Sequence, residues 1–233
     1  MNLYKEKYEL NLHRVMCLVG GFMGAYALLN RCDNFGSAQT SNMIYLVMNL
    51  LGGNLPGVLI RLGGLAVYFM AIELTVYLEN KTSFSLKWYA LISEGICVLL
   101  LSLLPKDGDP ILCLYPLFFM MSTQWCVFHG AAGFNSSTIF STNNFKQFSL
   151  ALGHYIMEKD IASLAKMKLF ANSLLFFHLG VAASFFACRT FHIQACWFAA
   201  LPLVATCVLV RKEQQLTASD AEVIPAPVMK RVG

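Results

Sequence analysis

Six stretches of this sequence are long enough, or nearly so, to cross a bilayer, and they are almost free of charge. They are Val15–Asn30, Gly57–Leu78, Trp88–Leu104, Ile111–Gly130, Leu169–Cys188 and Ile193–Val210. Together they hold only three charged residues, Arg61, Glu73 and Glu94. A helical span needs about 20 largely apolar residues. The shortest stretch, with 16, lies between Arg14 and Arg31, whose long side chains can snorkel to the interface. Composition points the same way. Of 233 residues, 57% are hydrophobic and 13% charged, whereas soluble domains run at roughly 45–50% and 25%. So few charges cannot cover a soluble surface, and the chain reads as an all-α, polytopic membrane protein whose first partner is the lipid bilayer.

The same figures exclude other classes. Net charge is only +4, with no basic stripe interleaved with aromatics, so nucleic acid is not expected as a partner. The eight cysteines include no CxxC pair, and no histidine stands at ligand spacing from one. Polarizable packing is then the simplest use for them, with no metal and no cofactor expected. The first 14 residues are polar and offer no small-residue cleavage site, unlike a signal peptide.

Two apolar pieces are too short to span. Met43–Leu51 has nine residues, about 13 Å as helix, and Gly52, Gly53, Asn54 and Pro56 then break the chain. Phe145–Leu152 follows another small, polar stretch, Gly133–Asn144. With both pieces non-spanning and the N-terminus inside, 13 Lys and Arg fall on the inner side and four, Arg31, Arg61, Lys106 and Arg189, in the outer half. That positive-inside bias predicts six transmembrane helices, two short broken or re-entrant helices, and both termini on the cytoplasmic side of an inner membrane.

A shift of 102 residues lays Gln39-Thr40-Ser41-Asn42-Met43 on Ser141-Thr142-Asn143-Asn144-Phe145, and Ala25-Tyr26 on Val127-Phe128. Each half then reads span, broken element, span, span. Three spans per half force the halves to be inverted, a transporter pattern whose site lies near the midplane. The predicted layout is a cytoplasmic segment 1–14, a first repeat 15–105, a second repeat 110–210 and a flexible cytoplasmic tail 211–233.

Gly20-Gly21-Phe22-Met23-Gly24-Ala25-Tyr26, then Phe35 and Gln39-Thr40-Ser41-Asn42, resemble the first signature of the YoaK-like bacterial membrane proteins, roughly GGF-x-DA, an aromatic, and QTGN. Met121-Ser122-Thr123-Gln124, then Thr138 and Ser141-Thr142-Asn143-Asn144, resemble the second, roughly MG-x-Q and T-x-x-TGN. The resemblance covers about residues 14–210 and implies a six-span inner-membrane protein without naming a substrate. The acidic residue of the first signature is Gly24 here, and the glycines of TGN are Ser41 and Asn143. If that acid carries a proton or cation, Glu73, Glu94 and His178 are the residues left to replace it.

Each Thr-x-Asn tripeptide precedes a short apolar piece, where Thr, Ser and Asn can cap orphan backbone N–H groups. At membrane depth such groups need partners, and a broken helix is tolerated only where it is buried or lines a cavity. A half-helix N-terminus also offers a positive dipole end to a polar or anionic solute. The candidate solute site is therefore Gln39, Thr40, Ser41, Asn42, Gln124, Thr142, Asn143 and Asn144, with Glu73, Glu94 and His178 as candidates for proton or ion coupling. Plain interfacial capping is the simpler alternative for the tripeptides. Glu94 could pair with His178. No catalytic constellation is legible, so a transporter or channel for a small solute is the leading expectation, ahead of a structural or partner-binding membrane protein, and an enzyme is not expected.

Overall fold

A computed structural model describes residues 3–223, with side chains over 6–216. The chain is helical nearly throughout. Helix α1 (Leu3–Asn30) is followed by α2 (Thr40–Leu51), α3 (Leu55–Lys81), α4 (Leu86–Leu103) and α5 (Tyr115–Val127). After a two-residue antiparallel hairpin, β1 (Gly130–Ala131) and β2 (Phe134–Asn135), come α6 (Thr142–Glu158), α7 (Ile161–Phe191) and α8 (Ala200–Val223). The hairpin replaces part of the small, polar stretch that sequence leaves unassigned.

The boundaries follow local chemistry. Between α2 and α3, Gly53 takes a left-handed φ of 72° and the Asn54 side chain accepts from the N–H of Gly57, with Pro56 in the first turn of α3. Asp160 caps α7 by accepting from the N–H groups of Ala162 and Ser163 at 3.1 and 2.8 Å. Its carboxyl is held below the ordinary aspartate range by the Ser163 hydroxyl first and by those N–H groups second. At the far end of α7, His192 has φ 51° and turns the chain into a 3-10 stretch before α8.

By length and composition, four helical runs among the described residues could cross a membrane: Glu6–Asn30, Leu55–Lys81, Leu86–Leu103 and Ile161–Leu216. Sequence predicts six. The last run, 56 residues long, contains both α7 and α8 with the His192 break between them, and α5 has only 13 residues. The expected loose tail from Arg211 is also different, because α8 continues to Val223. Lys87 at the start of α4 pairs with Glu213 at 2.6 Å, Trp88 Nε1 donates to Gln214 at 3.0 Å, and Arg211 lies over the Trp88 ring. Residues 224–233 lie outside the described part.

Packing joins the first half of the chain to the second. α1 packs most extensively on α7 and then on α8, while α5 packs on α3 and α4. α2 lies along α3, α6 lies along α7, and α4 meets α8. The core centres on α1, α4 and α5, with Met16, Met23, Tyr26, Leu101, Leu117 and Met121 fully buried, and draws in Cys196 and Ala199 of the 3-10 stretch and Leu203 of α8. Leucine and phenylalanine lead the exposed large apolar side chains, as on a lipid-facing perimeter.

Candidate functional site

The two short helices start with exposed threonines and bury their third residues, Asn42 and Asn144. α2 begins at Thr40 and α6 at Thr142, so each Thr-x-Asn tripeptide forms the first helical turn. Sequence casts these residues as N-caps, but the cap positions are Gln39 and Ser141, and neither makes a side-chain cap bond. The asparagines stand third in their helices and reach sideways. Asn42 Nδ2 donates to Gln39 Oε1 at 2.8 Å and to the Arg61 carbonyl at 3.1 Å, and its Oδ1 accepts from Arg61 Nη1 at 3.1 Å. Arg61 also lies over the Tyr45 ring, 4.6 Å from its centroid, which fastens α2 to α3.

Asn144 is tied to the segment before its own helix. Its Oδ1 accepts from Ser137 N and Ser136 Oγ at 3.1 and 3.2 Å, and its Nδ2 donates to the Ser137 carbonyl at 2.6 Å. Ser136 Oγ and Ser173 Oγ both sit within 3.1 Å of His13 Nε2. Ser173 Oγ also lies 3.1 Å from the Leu169 carbonyl, and Ser136 Oγ lies 3.0 Å from Ser173 Oγ and 3.2 Å from Asn144 Oδ1. Donor and acceptor roles within this network follow the His13 tautomer. This buried cluster ties α1, α7 and the start of α6 together, and nothing in the sequence marked it except the polar residues themselves.

Between the two helix starts lies a cavity of about 720 Å³. Gln39 and Thr40 line it from the α2 side and Thr142 from the α6 side. Phe35, Tyr68, Phe69, Trp125 and Phe140 supply its aromatic walls, with Trp125 and Phe140 edge to face at 5.2 Å. Tyr68 is at the centre of α3, so the cavity sits at mid-helix depth. Met43 and Phe69, which also line it, are 46% and 60% exposed on the apolar perimeter. The cavity opens sideways. The two signatures meet here through their threonines and Gln39, whereas the asparagines stand behind the wall with their amides engaged.

The remaining candidates scatter. Ser41 and Asn143 are exposed; Ser41 lines a shallower groove on the other flank of α2. Gln124 is fully buried and donates to the Met16 carbonyl at 2.9 Å and to Thr138 Oγ1 at 3.0 Å, joining α5 to α1 and to the segment before α6. Glu73 is exposed on α3. Glu94 is fully buried in α4, and neither carboxyl oxygen has a hydrogen-bond partner among the described residues. The pairing of Glu94 with His178 is not made, because His178 faces outward and its Nδ1 donates to the Leu174 carbonyl of its own helix at 2.7 Å. The three coupling candidates do not converge on the cavity. Sequence reading missed the aromatic walls and Arg61. Aromatics are as common on lipid faces as in sites, and only the tertiary fold separates the two.

Residues 12–209 match a family model described as protein of unknown function (DUF1275). No curated protein and no solved structure matches the chain.

Proposed function

Since the chain belongs to the DUF1275 family, of unknown function, and is an apolar, helical, membrane-like protein, we propose that it is a carrier or channel for a small, neutral, largely apolar solute that binds in the cavity between the two short helices. One observation carries this reading. The first residues of the two short helices, 102 positions apart, line the same 720 Å³ cavity at mid-helix depth, a volume within the usual range for small-molecule sites.

The contact pattern supports an inverted repeat. Exchanging α1–α4 for α5–α8 turns the α1–α7 contact into α5–α3, the α2–α3 contact into α6–α7 and the α1–α8 contact into α5–α4, and all of these occur. On this reading α1, α3, α4, α5, α7 and α8 are six spans, and α2 and α6 are half-helices leading from the cavity toward opposite faces. The Lys87–Glu213 pair and a second cavity, lined by Glu9, His13 and Lys87, support a reading in which the start of α1 and the later turns of α8 lie toward one face. By the positive-inside rule, an excess of Lys and Arg at that face would assign it to the cytoplasmic side of an inner membrane.

An anionic solute, one of the sequence expectations, does not suit this cavity, because no Lys, Arg or His lines it. A neutral ring-bearing molecule that reaches it from the bilayer does. The test is a screen of neutral aromatic and alicyclic compounds for thermal stabilisation of the purified protein, with flux of any ligand found then measured in proteoliposomes. Thr40→Trp and Thr142→Trp fill the cavity from opposite sides and should each abolish the stabilisation. Stabilisation that survives in both variants would place the ligand elsewhere. Stabilisation without flux would favour a partner-binding protein, for which the fully engaged Asn42 and Asn144 amides also speak.

A further inference from the structure

We infer that the second cavity, between the start of α1 and the short hairpin, is a site for a small organic cation with a planar guanidinium or amidinium head. This rests on the inverted repeat above, not on the solute proposed for the cavity between the short helices. Each half has one turn that carries the chain back from a long helix to a short one. In the first half Arg31 stands in that turn. It is 1% exposed, and its Nη1 donates to the carbonyls of Pro105 and Lys106 at 2.8 and 3.1 Å. The 102-residue shift lays Arg31 on Gly133.

Both turns also contain two successive residues with left-handed φ, Cys32–Asp33 and Ala132–Gly133. Matching those pairs instead lays Arg31 on Ala131. Either register gives a residue without a polar side chain, and both Ala131 and Gly133 line the second cavity, of about 440 Å³. Where the first half holds a guanidinium of its own, the second half has a cavity.

The walls suit a cation from outside the chain. Arg31 binds the segment that leads into α5, whose counterpart is the start of α1, and there Glu9 stands in the cavity wall. Glu9 is half-buried and makes no ion pair among the described residues. His129, exposed in the same wall, has Nδ1 3.0 Å from the Cys126 carbonyl. A carbonyl can only accept, so the neutral ring keeps Nε2 as an acceptor. Lys87 has both Glu213 carboxylate oxygens within 2.7 Å of its Nζ, so its charge is already matched. His13 borders the cavity but offers it no polar atom, because Nε2 faces Ser136 and Ser173 and Nδ1 is buried. Leu12, Phe128 and Phe134 add apolar surface. An unpaired carboxylate, an imidazole acceptor and flat apolar walls match a planar cation whose N–H groups can only donate. The volume is enough to hold such a molecule whole.

The experiment compares benzamidine, protonated at neutral pH, with benzamide, its uncharged near-isostere. Binding is read by thermal stabilisation of the full chain in an uncharged detergent. The parent should bind benzamidinium about tenfold more tightly, between the worth of an exposed ion pair and that of a buried charge-assisted hydrogen bond. Glu9→Gln should erase that preference and leave the melting temperature without ligand nearly unchanged. Gly133→Arg, which returns a guanidinium to this turn, should abolish binding of both compounds. Thr40→Trp and Thr142→Trp, which fill the cavity between the short helices, should leave benzamidinium binding as it was. Equal binding of both compounds by the parent, binding of neither, or a preference that survives Glu9→Gln would overturn this inference and leave the neutral-solute reading standing. Loss of the preference in the threonine variants would put the cation in the other cavity and overturn both. The repeat itself is tested apart from these, by labelling at Ser83 and Lys159 from the two faces.

Discussion

Asn42 and Asn144 stand third in their helices, and that position decides what their amides can reach. A side chain there cannot fold back over the orphan N–H groups as a cap residue does, so one amide turns to Arg61 and the other to Ser137. Asp160 shows the ordinary arrangement, with both carboxylate oxygens accepting at the start of α7. The Ser163 hydroxyl first, and those N–H groups second, favour the ionised form and lower its pKa. A carboxyl whose pKa is lowered on folding stabilises the fold above its unfolded pKa and loses that contribution as pH falls through the folded value. Asp160→Asn keeps a cap but cannot titrate. In melting scans between about pH 6 and pH 3, the parent should therefore lose more stability than Asp160→Asn, and parallel curves would show that this cap adds nothing to acid sensitivity. The threonines and Gln39 were legible because the tripeptide is duplicated. The roles of the asparagines were not, because a three-residue difference in where a helix starts separates a cap from a tether.

The α1–α7 crossing is set by glycine. A Cβ on Gly21 would collide with the Phe177 carbonyl oxygen, and one on Gly180 with the Leu18 carbonyl oxygen. Gly20 meets the Thr138 carbonyl in the same way. Small residues let helix backbones approach closely where lipid gives no hydrophobic drive between them. Gly21→Ala and Gly180→Ala should each cost about 1–3 kcal/mol, because backbone rather than a flexible side chain must move. Gly95, in the middle of α4, has nothing within 4 Å of its would-be Cβ. Gly95→Ala should be neutral or stabilising by up to about 1 kcal/mol. Thermal unfolding of the three variants in one detergent checks both claims, and equal losses at all three sites would mean that propensity, not contact, governs them. Sequence patterning located the long helices well because their apolar content is nearly continuous. It misplaced ends, extending no helix into the polar first 14 residues or past Arg211, since burial of Leu12 and His13 at one end and the Lys87–Glu213 pair at the other depend on the tertiary fold.

At the scale of the whole molecule, the six-span reading predicts sides. Cysteines placed singly at Ser83 and Lys159 in an otherwise cysteine-free chain should label from the cytoplasm, and one at Asp107 only from the opposite face. Labelling of positions 83 and 159 from different sides would make the halves parallel rather than inverted and would end the transporter comparison. The alternation of spans and breaks let sequence anticipate this layout. It could not anticipate which helix packs on which, because partner choice depends on shape at contacts such as Gly180 against α1. That choice also has a consequence in time. α1 is made well before its main partner, α7, with the whole of α2 to α6 between them. At synthesis rates of about 5–20 residues per second, α1 waits on the order of ten seconds before its glycine face can be covered. Through that interval the nascent half has a helix inserted but no closed core. A chain stalled before α7 would then be an open sheaf of helices, and α1 gains its main partner only once α7 has left the exit tunnel.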